Sequence, residues 1–500
     1  MNYLYILTMI CVCVTVSIFI GGYITICWIR WLDKINCLIQ HFLFLGGYIL
    51  MQQDNDLTKG KVIPTLLKFA FPFLLASLLQ ALYGAADLLV VGQFDNSAQV
   101  SAVATGSQIM QTITGVILGL TTGGTIIIGN YLGAKKYKDI VESIGTIICI
   151  FAIMAAALTV SMVLLTGTIT SLMNTPAEAL KYTKQYILIC SCGIPFIIGY
   201  NALSGILRGL GNSKAPLYFI TVACVTNIVV DLILVGVLHM GAPGAAIATI
   251  LAQAISFIIG VVYVKKVGFV FEFNRSHIKL ESGKAKKVFK LGLPIALQDG
   301  LINVSFIIIT AVINVMGLMA SASVGVVEKI IVFTMLPTIA FASAIAAMTA
   351  QNMGAGKQER AKQCLYVGIG CSLIIGIICY IYVQINPTSL TALFSRDVEV
   401  IKTASLYLKS YSIDCILVCF VFCMNSFFSG CGNSLFPMIH SLIATFFIRI
   451  PLSFVLSKMA GITLYEIGFA SPLATFASLV MCIIYLRSGR WKKNQFIPKA

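Results

Sequence analysis

Long apolar runs, each closed by a short polar loop, repeat along the whole chain. Twelve of them fall at about 66–92, 99–130, 142–166, 183–207, 215–238, 241–266, 288–316, 321–350, 364–386, 400–430, 434–457 and 464–487. Each exceeds the roughly 20 residues that an α-helix needs to cross a bilayer. A helix also satisfies its own backbone hydrogen bonds in hydrocarbon. The pattern therefore predicts twelve transmembrane helices. A further apolar run at 3–29 ends in Arg30, Trp31 and Lys34, which favours one extra helix running from outside to inside. It is too long for a signal-peptide core and lacks a clear small-residue cleavage site. Residues 37–51 form a shorter patch that includes Gln40 and His41 and reads as interfacial. The polar stretch from Met51 resembles a cytosolic start, so residues 1–50 read as an appended helix or upstream translation.

Composition agrees with the pattern. The chain is 59% hydrophobic and only 10% charged, whereas typical soluble domains carry about a quarter charged residues. The net charge of +16 would suit nucleic acid, but the basic residues gather in alternate short loops, which is the positive-inside pattern of a membrane protein. Lys135, Lys136, Lys138, Lys265, Lys266, Lys357 and Arg360 lie on one side, while residues 93–98 and 239–242 carry no Lys or Arg. Both ends of the twelve-helix core are expected in the cytoplasm.

An internal repeat divides that core. Gly209-Leu210-Gly211-Asn212-Ser213-Lys214-Ala215-Pro216 recurs 221 residues later as Gly430-Cys431-Gly432-Asn433-Ser434-Leu435-Phe436-Pro437. Leu132-Gly133-Ala134 recurs as Met353-Gly354-Ala355 and Tyr186 as Tyr407 at the same offset, and Pro72 pairs with Pro294 one residue further on. Six spans per half is an even number, so the halves share one orientation. They are expected to form parallel repeats about an axis along the membrane normal, with the substrate path between them. The expected divisions are an extension at 1–54, an N-lobe at 55–266, a cytosolic linker at 267–287, a C-lobe at 288–487 and a basic tail at 488–500.

Against this apolar background a few polar residues stand out. Asn227 and Asp231 are four apart in the fifth span and so share a helix face. Asp87 lies about five residues, Asp231 about seven and Thr249 about eight from the expected outer ends of their spans, which at about 1.5 Å per residue sets all three roughly 8–12 Å below one surface. Two carboxylates, an amide oxygen and a hydroxyl at one depth suit a hard-oxygen cation site or a shared proton. Ionisable groups within spans are expensive and usually mark a pathway. The offset places Ile308 or Ile309, Ile448, Leu452 and a position near Ala470 where the first half has Asp87, Asn227, Asp231 and Thr249. The fold is doubled and the polar site is not, which argues for coupling rather than architecture.

The remaining features change the picture less. Asp299, Glu328, Lys329, Asp414 and Arg449 in the second half read as charges that neutralise one another. Cys415, Cys419 and Cys423 repeat every fourth residue without a nearby His or a Cys-x-x-Cys pair, and read as packed or lipid-facing thiols. The Gly-x-Gly-Asn-Ser motif lacks Walker lysine spacing and reads as a tight cytosolic turn with Pro216 starting the next helix. No nucleotide site, catalytic triad or zinc motif is evident, so neither an enzyme nor an ATP-driven pump is expected.

The combination of Ala86-Asp87 with Val91-Gly92, Tyr131-Leu132-Gly133-Ala134-Lys135, Leu207-Arg208-Gly209-Leu210-Gly211-Asn212-Ser213, Asn227 with Asp231, and Gly244-Ala245-Ala246 with Ala248-Thr249 resembles the multidrug and toxic compound extrusion (MATE) family, closest to its bacterial DinF-like branch. The resemblance spans about residues 55–490; the extension 1–50 departs from it. It implies an all-α fold of two six-helix lobes in the bacterial cytoplasmic membrane. It also implies export of small organic cations or amphipathic drugs by alternating access, driven by inward Na⁺ or H⁺ with no other cofactor, by a monomer that binds no nucleic acid. The family's N-lobe coupling site falls on Asp87, Asn227, Asp231, Thr249 and Tyr186. Gln80 falls on a cavity-lining position and Pro72 on a helix-bending proline, while the C-lobe acidic site of another branch has no clear counterpart. Alternatives from other classes are a lipid-linked precursor flippase, which calls for a cationic cavity, and a non-transporting scaffold, which gives no reason to bury acids in one lobe. A chain starting at Met51 is expected to insert and to keep the transport of the full chain; insertion with complete loss would make residues 1–50 integral.

Overall fold

The polar loops predicted above prove to connect long helices. The computed structural model describes residues 56–492, apart from Asn174, Val270, Ala460 and the Leu318 side chain. The expected extra helix near the start and the end of the basic tail lie outside the described residues. The spans are α1 (Val62–Phe94), α2 (Ser97–Gly133), α3 (Tyr137–Leu172), α4 (Ala177–Gly209), α5 (Lys214–Val237) and α6 (Gly241–Val267) in the first lobe. The second lobe has α7 (Ser282–Asn314), α8 (Leu318–Gly354), α9 (Gln358–Ile385), α10 (Val398–Tyr411 with Asp414–Gly430), α11 (Leu435–Lys458) and α12 (Leu464–Arg487). Among the described residues there is no strand.

Besides α12, whose short Leu464–Ile467 helix is set off from Ala470–Arg487, three spans depart from straight α-helices. The α10 halves meet at 46°, where Gln384 Nε2 donates to the Lys409 carbonyl and to Ser412 Oγ, both at 2.9 Å. In α5 the α-helix stops at Asp231 and Leu232–Val237 continue as π-helix. In α11 Thr445–Arg449 are π-helical. Such π-turns widen a helix and re-aim its side chains, often at functional sites. By contrast, α1 runs unbroken through Pro72.

The sequence repeat is also a repeat of contacts. The Gly-x-Gly-Asn turns carry Gly211 at φ 86° and Gly432 at φ 95°, a region that L side chains avoid. Asn212 Oδ1 accepts from the backbone N–H of Lys214 and Ala215 at the start of α5, leaving Pro216 in the first turn, where its missing N–H costs nothing. A Cβ added to Gly209 would meet the Thr125 carbonyl at 2.8 Å, and one added to Gly430 would meet the Ala346 carbonyl at 2.8 Å. The two pairs are related by the offset of 221 residues. Between lobes, α2 packs on α7 and α8 packs on α1 and α2.

Those inter-lobe contacts lie towards the end of the bundle that carries the basic loops. Gly133 of α2 abuts the Gln351 backbone and Gly354 of α8 abuts the Asn130 backbone, again images of each other. Nearer mid-depth, Gly119 meets Ala296 and Gly123 meets Gly292. Gln351 Nε2 also donates to the Gly209 carbonyl at 3.0 Å while its Oε1 accepts from the Leu57 N–H at 3.2 Å. Towards the opposite end, the cluster around Ile309, Val324 and Tyr407 holds residues of the second lobe only. The inter-lobe glycine contacts therefore gather between mid-depth and the basic end, where they seal the lobes together. Gly133→Ala and Gly354→Ala should each lower the unfolding temperature in detergent, by overpacking worth about 1–3 kcal/mol. Gly370→Ala, where an added Cβ meets nothing within 4 Å, should be neutral or stabilising.

Candidate functional site

Asp87 and Asp231 enter the first lobe from different helices and meet in its interior. Asp87 on α1 is 3% exposed; Asn227 and Asp231 on α5 are fully buried. The i, i+4 spacing sets the amide and the second carboxylate on one face, and α6 brings Thr249 alongside. Asn227 Nδ2 donates to Asp87 Oδ1 at 3.0 Å, and Thr249 Oγ1 donates to Asp87 Oδ2 at 2.8 Å. Asn227 Nδ2 also lies 3.4 Å from Thr249 Oγ1.

Asp231 is treated differently. Neither of its oxygens receives a donor, and Asn227 Oδ1 has no partner either. Asp231 and Asp87 are near enough to form a carboxyl–carboxylate hydrogen bond when one proton lies between them. The site thus offers three unsatisfied oxygens beside a satisfied carboxylate. A buried polar group without a partner costs about 1–3 kcal/mol, and more when charged. Oxygen-only donors of this kind suit a proton or a hard cation such as Na⁺.

The other residues expected at the site fall around it. Tyr186 on α4 is 2% exposed and within electrostatic reach of both acids, but no hydrogen bond joins it to them; its ring is held against Gly106. Gln80 is half-buried two turns from Asp87, outside the bonded set. Pro72 is buried nearer the basic end. Sequence reading missed Tyr83 and Gln253, which form a separate pair one turn further inward: Gln253 Nε2 donates to Tyr83 Oη at 3.1 Å. Their signal was available, since Tyr83 precedes Asp87 by four residues and Gln253 follows Thr249 by four.

The charges of the second lobe correct one expectation. Among the described residues the close ion pairs are Lys59 with Asp56 and Lys284 with Asp139 and Glu142; none joins Arg449 to Asp414 or Glu328. Arg449 instead stacks 4.1 Å from the Phe306 ring centroid. Glu328 accepts from Thr310 Oγ1 at 3.1 Å, and Asp414 accepts from Ser471 Oγ at 3.1 Å. Lys329 and Asp299 are exposed. Glu328 and Asp414 are thus each held by a hydroxyl on a neighbouring helix. The thiols are packed, one of the two placements expected for them. Cys415, Cys419 and Cys423 are buried. His440 hydrogen-bonds Ser478 Oγ at 3.0 Å and Asn425 Oδ1 at 2.8 Å.

Comparison with known proteins agrees with this architecture. The chain is 26% identical to "Probable multidrug resistance protein YoeA" of Bacillus subtilis over 454 residues, covering 89% of this chain and 98% of the relative. It is 29% identical to "Probable multidrug resistance protein YpnP" of the same organism over 442 residues, 87% and 97% of the two chains. "Multidrug export protein MepA" of Staphylococcus haemolyticus is 26% identical over 440 residues, 86% and 95%. Among solved structures, "Crystal structure of MATE in the straight conformation" superposes with a TM-score of 0.81 at 19% identity, covering 89% of this chain and all of the other. A transporter from Pyrococcus furiosus whose structure is described as having a binding pocket of reverse polarity superposes with a TM-score of 0.82 at 18% identity, 89% and 99%. The MatE family model matches twice, over residues 72–233 and 294–455, once in each lobe. With the duplicated six-helix fold and a family match on both copies, the chain belongs to the MatE (MATE) family of membrane transporters.

Proposed function

We propose that this chain is a secondary antiporter that exports cationic or amphipathic organic compounds in exchange for inward Na⁺ or H⁺, across a bacterial cytoplasmic membrane. The observation that carries the reading is the unequal pair of buried acids, Asp87 with two side-chain donors and Asp231 with none. Relatives whose printed names are multidrug resistance and export proteins support the substrate class. The basic loops mark the cytoplasmic side by the positive-inside rule. The sealed half then faces the cytoplasm, and the acids lie in the half that opens outward.

The chain's own residues suggest the cycle. A proton or Na⁺ arriving from outside satisfies Asp231 and Asn227 Oδ1 and removes the repulsion between the two carboxylates. The ion shifts the outward–inward equilibrium only by its difference in affinity between the two states. Asp87 rides on the helix that also carries Pro72, where a missing N–H weakens the backbone ladder and provides a place to bend. Movement of α1 then displaces a cationic substrate from between the lobes. Opening towards the cytoplasm requires the Gly133 and Gly354 contacts to separate together, since each is the image of the other.

Asp87→Asn and Asp231→Asn should each abolish coupled export with normal protein in the membrane. Asn227→Ala and Thr249→Ala remove neutral ligands only and should weaken ion dependence less, within the roughly 5–150-fold range of typical coupling energies. Initial export rates of ethidium across a grid of external pH and Na⁺ decide this; unchanged ion dependence in Asp87→Asn would sink the scheme. Asp299→Asn, Glu328→Gln and Asp414→Asn should remain ion-dependent, whatever their absolute rates. Complete loss of ion-driven export in any of these well-folded variants would move coupling to the second lobe.

A further inference from the structure

Helix α1 is shared between the lobes. The segment leading into it and its first turns lie in the second lobe: Leu57, Leu66 and Phe69 are buried in one core with Phe427, Phe428 and Cys431. Further along, Leu75 and Leu79 share a core with Phe219 and Ile220 of α5, and Asp87 takes its donors from α5 and α6. The change of lobe falls between Ala70 and Leu75, around Pro72. Helix α7 is exchanged in the reverse sense. Its Val288 and Leu291 are buried with Ile144 and Ile147 of α3, while Ile309 and Ile313 are buried in the second lobe.

The two exchanged ends are fastened by different chemistry. Arg360, at the start of α9, donates from Nη1 to the Gly60 carbonyl and from Nη2 to the Lys59 carbonyl, both at 2.6 Å. Lys357 Nζ donates to the Thr58 carbonyl at 2.9 Å, and Gln351 and Asn352 hold the N–H and the carbonyl of Leu57. The lead into α7 is held by ions instead: Lys284 pairs with Asp139 and Glu142 of α3. An ion pair fixes the end of a side chain and leaves rotatable bonds between it and the backbone. The guanidinium fork is planar and rigid, and here it grips the peptide chain itself.

A helix held in two bodies carries displacement from one to the other, since rigid elements with alternative arrangements are what couple distant sites. From Gly60 to Asp87 the path is about 40 Å at 1.5 Å per residue. A bend at the crossing around Pro72 changes the angle between the two anchored ends, and so turns one lobe against the other. We propose that Arg360 is a positioning residue for ion coupling: it fastens the base of α1 to the second lobe, so that a change at Asp87 in the first lobe moves the second. The inference rests on the ion-coupled reading of the acids and adds the route by which the other lobe responds. Without the fork, the base of α1 slips on the second lobe and the lobes respond separately.

Hydrogen–deuterium exchange of the purified full chain reads each lobe by itself, across Na⁺ concentration and across pH after correction for intrinsic exchange. Residues 232–240, just past Asp231, report the first lobe. Residues 430–435, whose Cys431 shares a core with Leu66, report the second. Both should respond to the ion in the wild type. In Arg360→Gln the first-lobe response should remain and the second-lobe response should be lost, and an ion gradient should no longer raise ethidium export. Arg360→Lys keeps the charge and loses the fork, so it should retain part of the second-lobe response; it carries the test if the glutamine variant does not fold. Lys284→Met loosens the other lead and should lower the Tm while both responses persist. A second-lobe response unchanged in either Arg360 variant, or equally lost in Lys284→Met, overturns the proposal. A wild type in which only the first lobe responds also overturns it, and leaves ion binding at the acids standing. A wild type with no response in either lobe defeats the ion-coupled reading, and the proposal with it.

Discussion

Two carboxylates share one dry interior, and the protein supplies donors to only one of them. Asp87 takes hydrogen bonds from Asn227 and Thr249, and Asp231 takes none. Placing a single charged side chain in the middle of a membrane already costs about 2.5–3.5 kcal/mol on insertion scales, so a pair left partly unsatisfied is tolerated only where something else completes it. The surrounding architecture serves this arrangement. Helix α1 carries Asp87, the α-to-π junction of α5 presents Asp231, and α6 delivers Thr249 from the side.

The duplication makes the asymmetry easier to interpret. Glycine contacts that bring helices together are copied almost atom for atom, as Gly209 on Thr125 and Gly430 on Ala346, or Gly133 on Gln351 and Gly354 on Asn130. Packing is therefore common property of the two lobes. Polar content is not: the first lobe pairs two acids with neutral donors, and the second sets a guanidinium among two acids and two tyrosines. Equal frames with unequal interiors leave room for each lobe to have a separate chemical task.

Much of this was legible in the sequence because membrane helices advertise themselves by long apolar runs, and because Asp87, Asn227, Asp231 and Thr249 are conspicuous against them. The glycine-rich turns gave the repeat and its offset. Other features depend on tertiary neighbours and left little trace. The break in α10 has no proline and rests on Gln384 of α9. The π-turns of α5 and α11 follow no simple composition rule. Arg449, Glu328 and Asp414 looked like mutual partners when only their signs were known; Thr310, Ser471 and Phe306 decide otherwise, and their proximity is set by helix packing. Tyr83 and Gln253 were visible by spacing but carried no charge to draw attention.

The short segment before α1 has a consequence for how the protein is made. Its carbonyls at Leu57, Thr58, Lys59 and Gly60 accept from Asn352, Lys357 and Arg360, some 300 residues further along the chain. Arg360 stands at the offset position of Asp139, which anchors the second lobe through Lys284 in the reverse sense of charge. Helix α1 thus finds its final anchor only after α8 and the start of α9 have been synthesised. Contacts this distant in sequence form slowly. During translation the helix bearing Asp87 would wait unseated, so an acid that is costly to expose to lipid belongs to a span that is fixed in place late.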